Sequence, residues 1–183
     1  MIRAFIALPV PQVLANRLAL LAQMLPLPRR VPEADLHVTL AFLGDQTEAV
    51  LEEVHFALET LRAPSLELVL QGVGAFGKAR PHSVHAVVRP DPPLIALQQK
   101  VLTAARRAGC TVEARRFIPH VTLGRFSPAS ADLPRLEKAL VQFSTFSAGP
   151  EAVPAFGLYE SRLLPSGPHY TQLAEYPLTE PWR

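Results

Sequence analysis

Two histidines in this chain carry the same continuation: His37-Val38-Thr39-Leu40 and His120-Val121-Thr122-Leu123. With six histidines in 183 residues, an identical three-residue continuation after some pair has a chance of about one in a hundred at ordinary residue usage. In a strand, side chains alternate between faces, so each histidine shares a face with its threonine while the valine and leucine turn to the other. Laid side by side across a pseudo-twofold, two such strands offer two imidazoles and two hydroxyls to one cleft. Imidazole titrates near neutral pH, so one ring can take a proton from an attacking water while the other gives one to a departing oxygen. In-line cleavage of a phosphodiester requires those two transfers. The hydroxyls of Thr39 and Thr122 can donate to the non-bridging oxygens as charge builds there. Nothing in this scheme calls for a metal or another cofactor.

The remaining candidates are weaker. His82-x-x-His85 has the look of a ligand pair but lacks nearby Cys or acidic partners, so no metal is assigned to it. His55 stands among Glu52, Glu53 and Glu59 and reads as solvated. His169 reads as structural, and Tyr170 beside it as a residue that could line the cleft. Fifteen arginines stand against three lysines, with pairs at Arg29-Arg30, Arg106-Arg107 and Arg115-Arg116. The planar arginine fork suits phosphate. A G- and C-rich genome would also give abundant Arg, Ala, Leu and the nineteen prolines. A formal charge of only +2 speaks against wide duplex binding and for a small or single-stranded anionic ligand.

The elements that must position these residues follow from periodicity and punctuation. Strands are expected over Ile2 to Leu8, His37 to Leu43, Leu66 to Val73, Ser83 to Arg89, Ile118 to Phe126, Ala155 to Leu164 and Tyr170 to Pro177. Helices are expected over Pro11 to Leu25, over Thr47 to Arg62 with Thr47 as cap, after Pro90-Asp91-Pro92-Pro93 as far as Ala108, and over Asp132 to Phe143. A Gly-rich turn separates the third and fourth strands, and Pro165-Ser166-Gly167-Pro168 the last two. Each half therefore runs helix, His-Val-Thr-Leu strand, helix. The expected fold is α+β, with two similar lobes, each a mostly antiparallel sheet backed by helices, and the site in the cleft between them. A parallel βαβ arrangement is the alternative. The whole chain, 1–183, reads as one bilobal domain with a weak internal boundary at 90–93.

Length and a 49% hydrophobic content are ample for a buried core. The apolar start, Met1 to Pro9, is too short for a secretion signal or a membrane span. The single Cys110 excludes an internal disulfide framework and a cysteine-based zinc site, reads as a small buried residue, and fits a cytoplasmic, reducing setting.

At this point the chain resembles the two-histidine (2H) phosphoesterase superfamily, and within it the RNA 2',3'-cyclic phosphodiesterases historically called 2'-5' RNA ligases. The resemblance runs through Arg3-Ala4-Phe5-Ile6-Ala7, Leu36 to Gly44, the Gly72-Val73-Gly74-Ala75-Phe76 turn, Pro119 to Arg125, Leu158-Tyr159-Glu160-Ser161 and Gly167-Pro168-His169-Tyr170. Where many members carry a Trp shortly before the first motif, this chain has Arg29-Arg30-Val31. The resemblance implies a bilobal fold, hydrolysis of 2',3'-cyclic phosphate ends to 2'-phosphates and no metal; the expected partners are RNA ends or small cyclic nucleotides, with no membrane and a monomeric chain. It favours His120 as general base and His37 as general acid. It also makes Phe42 and Arg125, each five residues after its histidine, substrate contacts; strict alternation puts both on the wrong face, so the strands must bulge or end before them. Otherwise Phe42 is plain core. The rival readings are 2'-5' ligation as the reverse reaction, a non-catalytic nucleotide-binding module, and a metallohydrolase using His37, His120 and an unseen carboxylate.

Overall fold

A computed structural model describes residues 1–77, 80–113, 116–165 and 167–179. The chain runs β1 (Ile2–Pro9), α1 (Gln12–Met24), β2 (His37–Gln46), α2 (Glu48–Glu59), β3 (Leu66–Phe76), β4 (Ser83–Val88), α3 (Pro92–Arg107), β5 (His120–Arg125), α4 (Leu133–Gln142), β6 (Ser147–Val153), β7 (Ala155–Leu164) and β8 (Gly167–Pro177). Two helix starts, those of α2 and α4, follow their side chains. The Thr47 hydroxyl accepts the Val50 N–H and the Asp132 carboxylate accepts the Arg135 N–H, each satisfying a donor that the first turn leaves without a partner.

The strands form one sheet in the order β6-β3-β4-β5-β2-β1-β7-β8, and every pairing between them is antiparallel. The parallel alternative is thereby excluded. The centre of the sheet is its weak point: β2 and β5 share one register position, Val38 opposite Val121. On either side of that seam lies a four-stranded half, so the fold is α+β and two-lobed. One lobe is β2-β1-β7-β8 and the other β5-β4-β3-β6.

The lobes share an order of parts, β1-α1-β2-α2 in one and β4-α3-β5-α4 in the other, but they exchange helices. Helix α3, which links β4 to β5, packs on β2, where the buried Gln98 amide donates to the Leu40 carbonyl. Helix α1, which links β1 to β2, packs on β5 and β6. Val38, Leu40, Val121 and Leu123 are all within 3% of full burial in the common core. The histidine side of both strands is left to the cleft.

Two sequence expectations need correction. Strand β6 went unread because Ser147-Ala148-Gly149-Pro150 looks like a loop; as an edge strand it tolerates a proline that a central strand would not. The stretch Gly72 to Phe76 is no turn but the end of β3. The register jumps between Leu70 and Val73, and Gly72 takes the positive φ of 80° that this bulge requires. The last hairpin is tight, with Leu164 opposite Gly167. Ser166 within it, like Arg115 of the third arginine pair, lies outside the described residues.

Candidate active site

His37 and His120 are held in the same way. The Nδ1 of His37 lies 2.7 Å from the carbonyl of Asp35, and that of His120 2.7 Å from the carbonyl of Ile118, each two residues upstream. A carbonyl can only accept, so both Nδ1 atoms carry the proton and each ring is left with Nε2 for proton exchange. Burial holds both imidazoles below their ordinary pKa, partly offset by those carbonyl bonds. The guanidinium of Arg125 pushes both further down, and His37 also feels the charge of His120. A charge on His120 therefore opposes protonation of His37.

Both strands bulge after their threonine. In β1 and β2 the register runs from Ala7–Thr39 to Ile6–Ala41, so Leu40 is the extra residue and Leu40 and Ala41 are both buried. In β4 and β5 it runs from His85–Thr122 to Val84–Gly124, so Leu123 is extra and Leu123 and Gly124 are both buried. Each bulge returns the fifth residue to the histidine side. Arg125 joins His37, Thr122 and Tyr170 in lining a cavity of about 190 Å³, with Arg29 and Pro168 on its rim. Phe42 also emerges, 47% exposed, with the Arg3 guanidinium 4.8 Å from its ring centre. It is not core. It also stays outside the cavity, as do Thr39 and His120, which face the cleft from neighbouring positions on the same strands.

The backing of the two histidines differs. Behind His37 are Phe5 at 5.0 Å and Tyr170, edge-on at 5.2 Å, with Tyr159 stacked on Phe5. They border a second hollow of about 230 Å³ with Gln172 and Leu36. Behind His120 stands Phe76, edge-on at 4.9 Å, and His85, at 5.2 Å.

Some sequence candidates go elsewhere. Arg30 points back to α1, its Nε donating to the Ala22 carbonyl at 2.7 Å, which satisfies the end of a helix with no basic residue in its last turn. Its neighbour Arg29 sets its guanidinium against Gly167, beside the cavity that both residues line. Arg106 and Arg107 close α3, where cations suit the helix dipole. His55 is not merely solvated; its Nδ1 shares a 3.0 Å hydrogen bond with the hydroxyl of Tyr176. His82 and His85 gather no third ligand: among the described residues, no cluster of three His, Cys, Asp or Glu could hold a metal.

Sequence reasoning missed Gly124. A Cβ there would stand 2.6 Å from the carbonyl oxygen of Arg29, because residues 29–31 wedge into the gap beyond Val38 and Val121. The wedge is fixed by the bridge between Arg30 and Gly124 and by the Val31 N–H donating to the Leu123 carbonyl at 2.8 Å. The one signal was that the second motif reads Leu-Gly-Arg where the first reads Leu-Ala-Phe.

Two histidine strands facing one cleft across a sheet seam define a two-histidine phosphoesterase, and comparison with known proteins agrees. The chain belongs to the 2'-5' RNA ligase superfamily, whose family profile matches residues 10–153. It is 32% identical to the RNA 2',3'-cyclic phosphodiesterase of Aeropyrum pernix over 149 residues, covering 80% of this chain and 84% of that protein. To the RNA 2',3'-cyclic phosphodiesterase of Escherichia coli it is 29% identical over 152 residues, 83% of this chain and 81% of that one. Among solved structures it is similar to E. coli LigT complexed with 3'-AMP, at 27% identity with a TM-score of 0.79 over 98% of this chain and 99% of that one. It is also similar to the TT0787 protein of Thermus thermophilus, at 26% identity with a TM-score of 0.80 over 97% and 98%.

Proposed function

We propose that this protein hydrolyses 2',3'-cyclic phosphate ends of RNA, and small cyclic nucleotides, to 2'-phosphates. The observation that carries the reading is the pair of imidazoles tethered alike at Nδ1, with both Nε2 atoms left for a substrate between the lobes. His120, as general base, takes a proton from water as its oxygen attacks phosphorus. The bond from phosphorus to the 3'-oxygen breaks, its electron pair goes to that oxygen, and His37, as general acid, protonates it. Thr39 and Thr122 donate to the non-bridging oxygens, and Arg125 supplies the fixed positive charge that the cavity turns toward them.

Phe42, on the same face but further out, stacks on a base, and Tyr170 closes the side of the cavity nearest His37. The single bilobal domain works as a monomer, since both histidines come from one chain, and the lone Cys110 suits the cytoplasm. No helix among the described residues is long and apolar enough to cross a membrane.

The test is incubation of purified protein with a cyclic-ended oligonucleotide, followed by identification of the phosphate position. A 2'-phosphate product formed in excess EDTA is expected. A 3'-phosphate product, or turnover lost to EDTA and restored by zinc, would overturn the reading.

A further inference from the structure

One imidazole in the molecule has no part in this mechanism and no reason to be polar. His85 is 6% exposed, and its Nδ1 is buried without a hydrogen-bond partner. An unsatisfied buried nitrogen is costly, and a phenyl ring would fill the same space without that cost. Its position is also prepared. It stacks on Phe76 with ring centres 4.2 Å apart and planes 25° apart, and it meets His120 edge-on at 5.2 Å. Its ring fits only because residue 74 is glycine: a Cβ there would lie 2.9 Å from Nε2 of His85.

We propose that His85 is a positioning residue for His120, forming with Phe76 the dry wall that aims the catalytic ring and keeps water from its inner side. The carbonyl of Ile118 holds His120 at a single atom, Nδ1, about which the ring could still swing. Phe76 and His85 close off that swing from β3 and β4. The wall also acts on titration. The ionisable groups facing His120 are His85 from β4, His37 from β2 and Arg125 from its own strand; β3 contributes the uncharged Phe76. Burial is the leading cause of the lowered His120 pKa, so water admitted beside the ring raises that pKa toward its ordinary value.

This inference rests on the reading of His120 as the base, and its test separates the two. The midpoint of His120 is followed by NMR titration of its imidazole in wild type, His85→Ala and His85→Phe, each checked for folding by circular dichroism. His85→Ala is expected to raise the midpoint, and His85→Phe, which keeps the wall, to leave it near wild type. In turnover, His85→Ala moves the acidic limb of the kcat/KM profile to higher pH, because the base must be neutral. It lowers kcat by about tenfold with KM little changed, as a small misplacement of a catalytic group does. His85→Phe restores both. An unchanged His120 midpoint in His85→Ala, or a His85→Phe variant that titrates like His85→Ala, overturns the proposal. The titration reads His120 itself, so it decides the role of His85 even if the cyclic-phosphate assay finds no turnover.

Discussion

The two lobes tether their histidines identically and then diverge at the fifth residue and in what stands behind each ring. Both strands bond Nδ1 to the carbonyl two residues back, both bulge at the leucine, and both turn their fifth residue toward the cleft. There the likeness ends. One lobe presents Phe42 and backs its histidine with Phe5, Tyr159 and Tyr170; the other presents Arg125 and backs its histidine with Phe76 and His85. In the proposed reaction the repeated part supplies proton transfer, which is symmetric in its needs. The divergent part would there supply recognition, which is not, because a nucleotide has a base at one end and a phosphate at the other.

The largest effects come from breaking the repeated part. Removing either histidine should cost about a hundred- to ten-thousand-fold in turnover of a cyclic phosphate, as loss of a general acid or base does. A nitrophenyl phosphodiester separates the roles, since its leaving group departs as a stabilised phenolate. His37→Ala is expected to be much less impaired on that ester, while His120→Ala stays impaired on both; the reverse pattern would exchange the roles. Next comes the divergent fifth residue. Arg125→Ala should weaken binding of phosphate-ended products by about ten- to a hundredfold, in line with loss of a charged hydrogen bond. Phe42→Ala should act mainly on oligonucleotides rather than on small cyclic nucleotides. Equal losses on both substrates for both variants would erase the distinction.

Two smaller effects concern stability. At equivalent places in the bulges stand Ala41 and Gly124. Gly124→Ala forces a methyl onto the Arg29 carbonyl and should cost about 1–3 kcal/mol, as overpacking does. Ala41→Gly should cost about 1 kcal/mol, mostly backbone entropy; denaturant midpoints measure both. A larger loss for Ala41→Gly would mean that the 29–31 wedge yields.

A further effect is on acid sensitivity. Burial, with His120 adding to it, lowers the His85 pKa to about 4. Below the unfolded value of about 6.5 the unfolded chain therefore binds a proton that the folded chain refuses. Stability falls as pH drops from about 6.5 toward about 4, and His85→Phe should flatten that fall in Tm. An unchanged slope would mean that His85 is hydrated.

The repeat made the pair of histidine strands legible, because identical residue runs need no knowledge of pairing partners. The helices were legible for a similar reason, since Thr47 and Asp132 announce their own caps. What stayed hidden depended on long-range contact. Strand β6 has a loop's composition and is a strand only because β3 offers it an edge. Gly72 to Phe76 has a turn's glycines and is a strand because β4 pairs with it through a bulge. His85 drew notice through His82, three residues away, whereas its working neighbour is His120, brought alongside by the pairing of His85 with Thr122. Arg29 and Arg30 are adjacent in sequence, and nothing in that adjacency shows that the Arg30 guanidinium is tied to the end of α1.

The exchange of helices between lobes bears on how the protein is made. As the chain leaves the ribosome, β1 and β2 can pair early, but the outer edge of β1 waits for β7, and α1 waits for β5 and β6. Each lobe thus lacks a partner that only later synthesis supplies, and non-local pairing of this kind is slow. The first half cannot mature alone, and a nascent chain halted after α3 would expose the edge of β1 and the underside of α1 together, as a target for chaperones. The same exchange means that the seam between the two histidine strands is backed by shared core, with α3 bonded to β2 through Gln98 and Leu40 and α1 packed on β5.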